Sequence, residues 1–383
     1  MKKVSEKIPI TKPFLGEEEV AAFAKAIKSG WVSQGPMVQK FEEAFCTLSG
    51  VEFAVASTSC TTALHLALIA AGVKSGDEVI VPAFTFIASA NVVEYTGAKP
   101  VFVDIDISTF NIDASKIEEK ITKNTRAIMP VHLFGLCADM DPVMEIAEKH
   151  RLAVIEDAAC AAGSLYNGKW AGTFGDAGAF SFHPRKIITT GEGGMITTND
   201  KGIAEKCREL RSHGGKASDL ERHNKGDFAL PEHDELGYNY RMTDIQAAMG
   251  LEQLKKLDYI ITKRRNIAAI YDEHFYGINE LAFPAAGKKY FHTYQSYVLR
   301  IIEKSPIDRD SLALKLQESG ISTRQGTHSV PHLGYYRKKY GYTEKDFPLS
   351  FKADKTSLTI PLFPSMSEES LLFVIKEIRN NLK

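Results

Sequence analysis

The chain has 383 residues, 44% of them hydrophobic and 25% charged, which is enough apolar material for a large core shared between two or more domains. Lys plus Arg is 47 and Asp plus Glu is 48, so the net charge of −1 offers no field that would draw nucleic acid or an anionic membrane. Cys46, Cys60, Cys137, Cys160 and Cys207 are odd in number, scattered and without a C-x-x-C pair, which argues against a disulfide framework or a zinc knuckle; with no leading apolar segment and no long apolar run, the expectation is a cytoplasmic protein.

Taken in order, an extended lead through Pro9 and Pro13 precedes a helical spacing over 17–28 that Gly30 stops. Residues 31–36 form a turn into a helix over 38–48. A strand at 51–56 runs through Ser57-Thr58-Ser59-Cys60-Thr61-Thr62 into a helix over 63–71, closed by Gly72. The alternation continues with strands at 78–81, 100–104, 127–131 and 153–157 and helices at 86–95, 114–121 and 141–150. Repeated strand–helix units of this length predict an α/β fold with a mainly parallel sheet covered by helices on both faces.

A further helix is expected over 201–213, then a polar loop over 216–241 whose His223 and His233 lack metal spacing. One long helix from Thr243 to about Phe275 follows, then a composition shift at 277–287. Strands at 295–302 and 321–324 and helices at 307–318 and 368–382 then make a smaller α+β domain. The expected division is a large domain over 1–255 and a small one over 256–383, hinged on the long helix.

Three local features carry chemistry. The hydroxyl-rich turn 57–62 opens a helix, so its free N–H groups and the helix dipole suit a phosphate, although simple N-capping explains the same residues. Asp157 closes an apolar strand, where open α/β sheets bind ligands, and an acid there also serves as an ordinary turn cap. Lys186 stands in a turn that returns through Gly191-Glu192-Gly193-Gly194; a solvated surface charge is the plain alternative to a lysine that loses its proton and attacks a carbonyl. Together with the aromatic after Phe84-Thr85, these are the handles that pyridoxal phosphate (PLP) needs: a Schiff-base lysine, a carboxylate for the pyridine nitrogen, a stacking face and a phosphate cradle.

Their order and spacing, with Gly30-Trp31-Val32-Ser33-Gln34-Gly35-Pro36, Pro82-Ala83-Phe84-Thr85-Phe86, Val131-His132-Leu133-Phe134-Gly135, Glu156-Asp157-Ala158-Ala159, Ser181-Phe182-His183 and Gly237-Tyr238-Asn239-Tyr240-Arg241-Met242, resemble the DegT/DnrJ/EryC1/StrS sugar aminotransferases of the aspartate-aminotransferase fold, fold type I. The resemblance covers nearly the whole chain. It implies that Lys186 is the catalytic Schiff-base lysine and proton shuttle, that Asp157 pairs with the ring nitrogen, that Phe86 stacks on the ring, and that the Cys60 and Thr61 amides and the Ser181 hydroxyl hold the phosphate. It also implies that Asn239 reaches the phosphate in a neighbouring subunit, so a homodimer shares its active sites.

Two departures stand out: Cys160 occupies a cofactor-facing position where the family commonly has Gln or His, and Cys60 a position often held by Gly. His183, Arg324 and His328 are the candidate substrate contacts; Pro331 disfavours a helical metal pair of His328 with His332, and no metal is expected. The implied reaction moves an amino group from an amino acid, by resemblance L-glutamate, to a nucleotide-linked keto-sugar in amino-sugar or surface-polysaccharide biosynthesis. The alternatives are an aminocyclitol or aminobenzoate synthase, a PLP-dependent sugar dehydratase, for which the family carries His at the place of Lys186, and a non-catalytic regulatory protein.

Overall fold

A computed structural model of the chain describes residues 7–216, 232–284 and 286–382. Its centre is a seven-stranded sheet. In chain order the strands are β1 (Phe53–Ser57), β2 (Glu78–Pro82), β3 (Lys99–Val103), β4 (Thr125–Ile128), β5 (Ala153–Asp157), β6 (Ala177–Ser181) and β7 (Gly194–Thr198), and in space they lie β1-β7-β6-β5-β4-β2-β3. Only β7 runs against its neighbours, so the sheet is mainly parallel as the alternating units predict.

Helices α1 (Glu17–Ser29), α2 (Pro36–Ser49), α3 (Cys60–Ala70), α4 (Ile87–Tyr95), α5 (Met140–His150) and α6 (Lys201–Leu210) accompany it. The strands alternate sides with the period of two that buried strands require. Ala54, Ala56 and Ile80 face Phe41 and Phe45 of α2 and Val143 of α5, whereas Val55, Val79 and Val81 face Leu64 and Leu68 of α3 and Val93 of α4. Both faces of the sheet are therefore dry.

The expected helix over 114–121 is instead two short 3₁₀ turns, Ala114–Lys116 and Glu118–Lys120. Their amides bond i−3 carbonyls and only Ile117 is buried, so no apolar stripe is present to support a longer helix. The single long helix after Thr243 is likewise two, α7 (Asp244–Lys255) and α8 (Leu257–Phe275). At the break the Lys256 amide takes the Gln253 carbonyl at 3.1 Å, and its ammonium is held by Glu19 and Glu18 of α1 at 2.7 and 3.0 Å.

Beyond α8 lies a four-stranded sheet, β8 (Leu281–Ala282), β9 (Tyr297–Ile301), β10 (Arg324–Gln325) and β11 (Ser357–Ile360), in the order β8-β9-β11-β10. Its apolar face packs on Tyr271 and Phe275 of α8, on Leu312 and Leu316 of α9 (Arg309–Glu318) and on Val374 and Ile378 of the last helix, Glu368–Asn381. Ile8 joins this second core through a bridge to Ile321. His233 is exposed and its Nδ1 lies 2.9 Å from the His213 carbonyl; His223 lies outside the described residues.

Candidate active site

The site lies where strand ends meet. In register, Ser57 at the end of β1 faces Gly194 at the start of β7, and Gly194 faces Ser181 at the end of β6. This brings the hydroxyl-rich turn and Ser181, far apart in sequence, to one edge of the sheet. The turn is the N-terminus of α3: Ser59 caps it, its hydroxyl accepting from the Thr62 amide at 3.2 Å. Helix geometry leaves the Cys60 and Thr61 amides without i−4 carbonyls, so they are donors free for an anion.

Gly194 makes that arrangement possible. A Cβ built on it would stand 2.3 Å from the Ser59 carbonyl oxygen and 2.7 Å from the Cys60 nitrogen, both backbone. The glycine-rich return therefore supports the turn from below, and does so by close approach. Gly191, by contrast, meets nothing within 4 Å and serves its bend through a φ of +81°.

On β5 two adjacent carboxylates go opposite ways. Glu156 is fully buried and accepts from the Gly172, Phe174 and Gly175 amides at 2.7, 2.6 and 2.8 Å. The His132 ring completes it: Nδ1 accepts from the Ala138 amide at 3.0 Å, so Nε2 carries the proton and donates to Glu156 at 2.8 Å. Asp157 instead faces a cavity of ≈ 380 Å³, accepting from the Ser89 hydroxyl at 2.7 Å and the Ala159 amide at 3.1 Å.

Lys186 lines the same cavity, half-buried, and its Nζ lies 3.1 Å from Cys160 Sγ. Burial works to lower its pKa, but the contact with Cys160 and then the nearby Asp157 carboxylate more than offset this and hold it above the ordinary lysine value. The amine is thus held in its charged form at neutral pH. Burial, with the Asp157 charge next, pushes the Cys60 thiol well up, so Cys60 contributes its backbone and not a nucleophile. His183 is lowered by burial foremost, against the pull of Glu192.

Cys60, Thr61, Phe86, Asp157, Cys160, Ser181, Lys186, His183 and Arg324 are all brought to this cavity. Asn239 and His328 are not among its lining residues. Asn239 is exposed and bridges Ser212, and His328 pairs with Thr85 in a two-residue ladder. His332, the other half of the excluded metal pair, is engaged by Ser329 Oγ at 2.7 Å and the Thr343 carbonyl at 2.9 Å. Sequence reasoning missed Arg185, beside Lys186, and Ser89, four residues after Thr85; it also missed Gln295, just before β9, and did not single out Thr327, just after β10.

The residues present fit PLP. Phe86, at the N-cap of α4, is 52% exposed and presents an aromatic face to the cavity. A buried carboxylate, an amine and two free amides complete the complement of a flat cationic ring, an aldehyde and a phosphate.

A profile described as the DegT/DnrJ/EryC1/StrS aminotransferase family matches residues 13–379. The spore coat polysaccharide biosynthesis protein SpsC of Bacillus subtilis is 41% identical over 380 residues, 98% of this chain and 97% of the relative. A GDP-perosamine synthase of Escherichia coli O157:H7 is 41% identical over 373 residues, 97% of each chain. Among solved structures, the PLP form of Spr1654 from Streptococcus pneumoniae superposes with a TM-score of 0.91 at 29% identity over 98% of each chain, and the same protein is known in its PMP form. With matches of this extent over a site that fits the cofactor, the chain belongs to the DegT/DnrJ/EryC1/StrS aminotransferase family and is a PLP-dependent aminotransferase.

Proposed function

We propose that the enzyme transfers an amino group from L-glutamate to a nucleotide-linked keto-sugar, supplying an amino-sugar for a surface polysaccharide. The observation that carries the reading is the convergence of Lys186, Asp157, Phe86 and the α3 turn on one cavity; the relatives named for GDP-perosamine and for spore coat polysaccharide support the substrate class. PLP, when bound, supplies an electron sink for charge developing at the substrate Cα. Lys186 would hold the cofactor through Nζ and, once the substrate amine has displaced it, its freed amine would move the proton at the substrate Cα. Asp157 keeps the proton on the ring nitrogen, and Ser89 and the Ala159 amide hold that carboxylate in place. Phe86 presents a face to the ring. The Cys60 and Thr61 amides and the Ser181 hydroxyl would hold the phosphate, and Cys160, beside Lys186, would face the cofactor.

His183, Arg324 and His328 are assigned to the substrate side. Asn239, exposed on its loop, is assigned to the cofactor phosphate of a second subunit, so the working unit is a homodimer with shared sites, acting in the cytoplasm. We also propose a division into a cofactor-binding domain over residues 1–255 and a smaller domain over residues 256–383, hinged on the helices that meet at Lys256.

The test is Lys186→Ala. The variant is expected to fold with the wild-type circular dichroism spectrum, to lack the near-visible absorbance of lysine-bound PLP, and to give no turnover with glutamate and a panel of nucleotide keto-sugars. Turnover at the wild-type rate would sink the assignment of Lys186. Wild-type enzyme that accepts the amino group from glutamate but passes it to no sugar on the panel would sink the acceptor class.

A further inference from the structure

The cavity carries two guanidinium groups: Arg324, assigned above to the substrate side with no partner group named, and Arg185, which the chemistry above leaves without a task. Arg185 directly precedes Lys186 and Arg324 opens the edge strand β10, so the two approach the cavity from the large sheet and the small one. Among the described residues neither side chain has a hydrogen-bond or ion-pair partner. Arg185 is engaged through its backbone alone, its N–H donating to His183 Nδ1 at 3.2 Å and its carbonyl accepting from Gln295 Nε2 at 2.6 Å. Arg324 is engaged through its pairing with Thr359 on β11. The two are near enough to repel each other: burial first, and then the Arg185 charge, lowers Arg324 below the ordinary guanidinium value.

Both residues are open to solvent, which screens part of that repulsion, so an anion entering the cavity can reach both guanidinium groups and relieve the rest. The acids that line the same cavity do not relieve it. Asp157 is occupied by Ser89 and Ala159, and Glu192 makes no ion pair with either arginine among the described residues. The anion must then come from a ligand. The cofactor phosphate is accounted for by the α3 turn and Ser181, which leaves the substrates.

An aminotransferase passes two different substrates through one cavity in turn. On the reading given above they are an amino acid and a nucleotide-linked sugar, which share, apart from the reacting carbon, an anionic group built of planar or tetrahedral oxygens. Resting on that reading, we propose that Arg185 and Arg324 form one anion subsite used twice, by the donor carboxylate in the first half of the cycle and by the phosphate of the sugar nucleotide in the second. A forked guanidinium suits both geometries because it donates two parallel N–H bonds.

The experiment measures binding to the PLP-loaded enzyme by titration calorimetry, with 2-oxoglutarate as the carboxylate probe and UDP and GDP as the phosphate probes. Arg185→Gln and Arg324→Gln are each expected to weaken both classes of probe by about 10-fold or more, the scale of one charge-assisted hydrogen bond. The double variant is expected to lose more than either, and Arg324→Lys to recover part of the loss. The near-visible absorbance reports that PLP remains in place in every variant. A double variant that binds both probe classes like the wild type overturns the subsite, and loss of one class with the other intact overturns its sharing. Wild-type enzyme that takes 2-oxoglutarate but neither nucleotide would sink the nucleotide-sugar reading itself, and the sharing with it.

Discussion

Gly194→Ala is the sharpest probe of how the fold builds the phosphate cradle. The added Cβ would lie 2.3 Å from the Ser59 carbonyl oxygen, 2.4 Å from its carbon and 2.7 Å from the Cys60 nitrogen. An ordinary contact needs about 1 Å more, and none of the three atoms is a side chain that could swing away. Either β7 shifts, against the register that joins it to β1 and β6, or the turn at the head of α3 moves and carries the Cys60 and Thr61 amides with it. Overpacking of this kind costs about 1–3 kcal/mol of stability. Misaiming two donors to a phosphate costs a further ~1.5–3 kcal/mol of PLP binding, or roughly 10- to 100-fold in Kd. The assay is the melting temperature of the cofactor-free protein alongside a PLP titration by absorbance, with Gly191→Ala as control. That control has open space around it but a φ of +81°, so it is expected to lose about 1–2 kcal/mol of stability and keep its PLP affinity. If Gly194→Ala bound PLP as tightly as wild type, the close approach would not be what sets the cradle.

Two further outcomes are expected. Asp244 caps α2 from a distance, accepting from the Gly35, Met37 and Val38 amides at 2.8, 3.0 and 3.0 Å where Gly35 has no side chain to do so; Asp244→Ala is expected to cost about 2–4 kcal/mol in urea unfolding and Asp244→Asn less, and a change below about 0.5 kcal/mol for the alanine would refute the capping role. Because Lys186 is held above the ordinary lysine value, its neutral, reactive fraction grows as pH rises, so the rate of PLP uptake by the cofactor-free enzyme is expected to climb from pH 7 to pH 10; Cys160→Ala removes the hydrogen-bonding partner of its ammonium, lowers that pKa and speeds uptake at pH 8, whereas an unchanged profile would show that Cys160 does not hold the proton.

What the sequence made legible was local. Apolar runs of strand length ending at Gly or a hydroxyl-rich turn placed β1, α3, β2 and β5 within a few residues, because buried strands and helix caps leave composition signals. Pairing order leaves no such signal. Nothing in the residues 194–198 states that β7 runs antiparallel between β1 and β6, yet that placement joins Ser57 to Ser181. Ser357–Ile360 passed unnoticed because it is only four residues long and directly follows a helix, although it is central to the second sheet. Arg324 was singled out from its segment, but its neighbour Arg185 was not, since only the two sheets coming together make them a pair.

The Glu156-Asp157 step shows why so much rests on register. Strand alternation sends neighbouring side chains to opposite faces, so one carboxylate enters the interior and the other the cavity. Glu156 survives full burial because three backbone amides and His132 satisfy it, and that network ties β5 to the 172–175 loop and to His132. Asp157 is pinned from behind as well, its N–H donating to the Pro130 carbonyl and its carbonyl accepting from the His132 amide. A slip of one residue would exchange the two acids, burying an aspartate too short for the Glu156 network and exposing a glutamate too long for Ser89 and Ala159. The buried glutamate therefore has a task in the chemistry without touching it: by satisfying its own oxygens it locks the one register in which Asp157 faces the cavity that Lys186 shares.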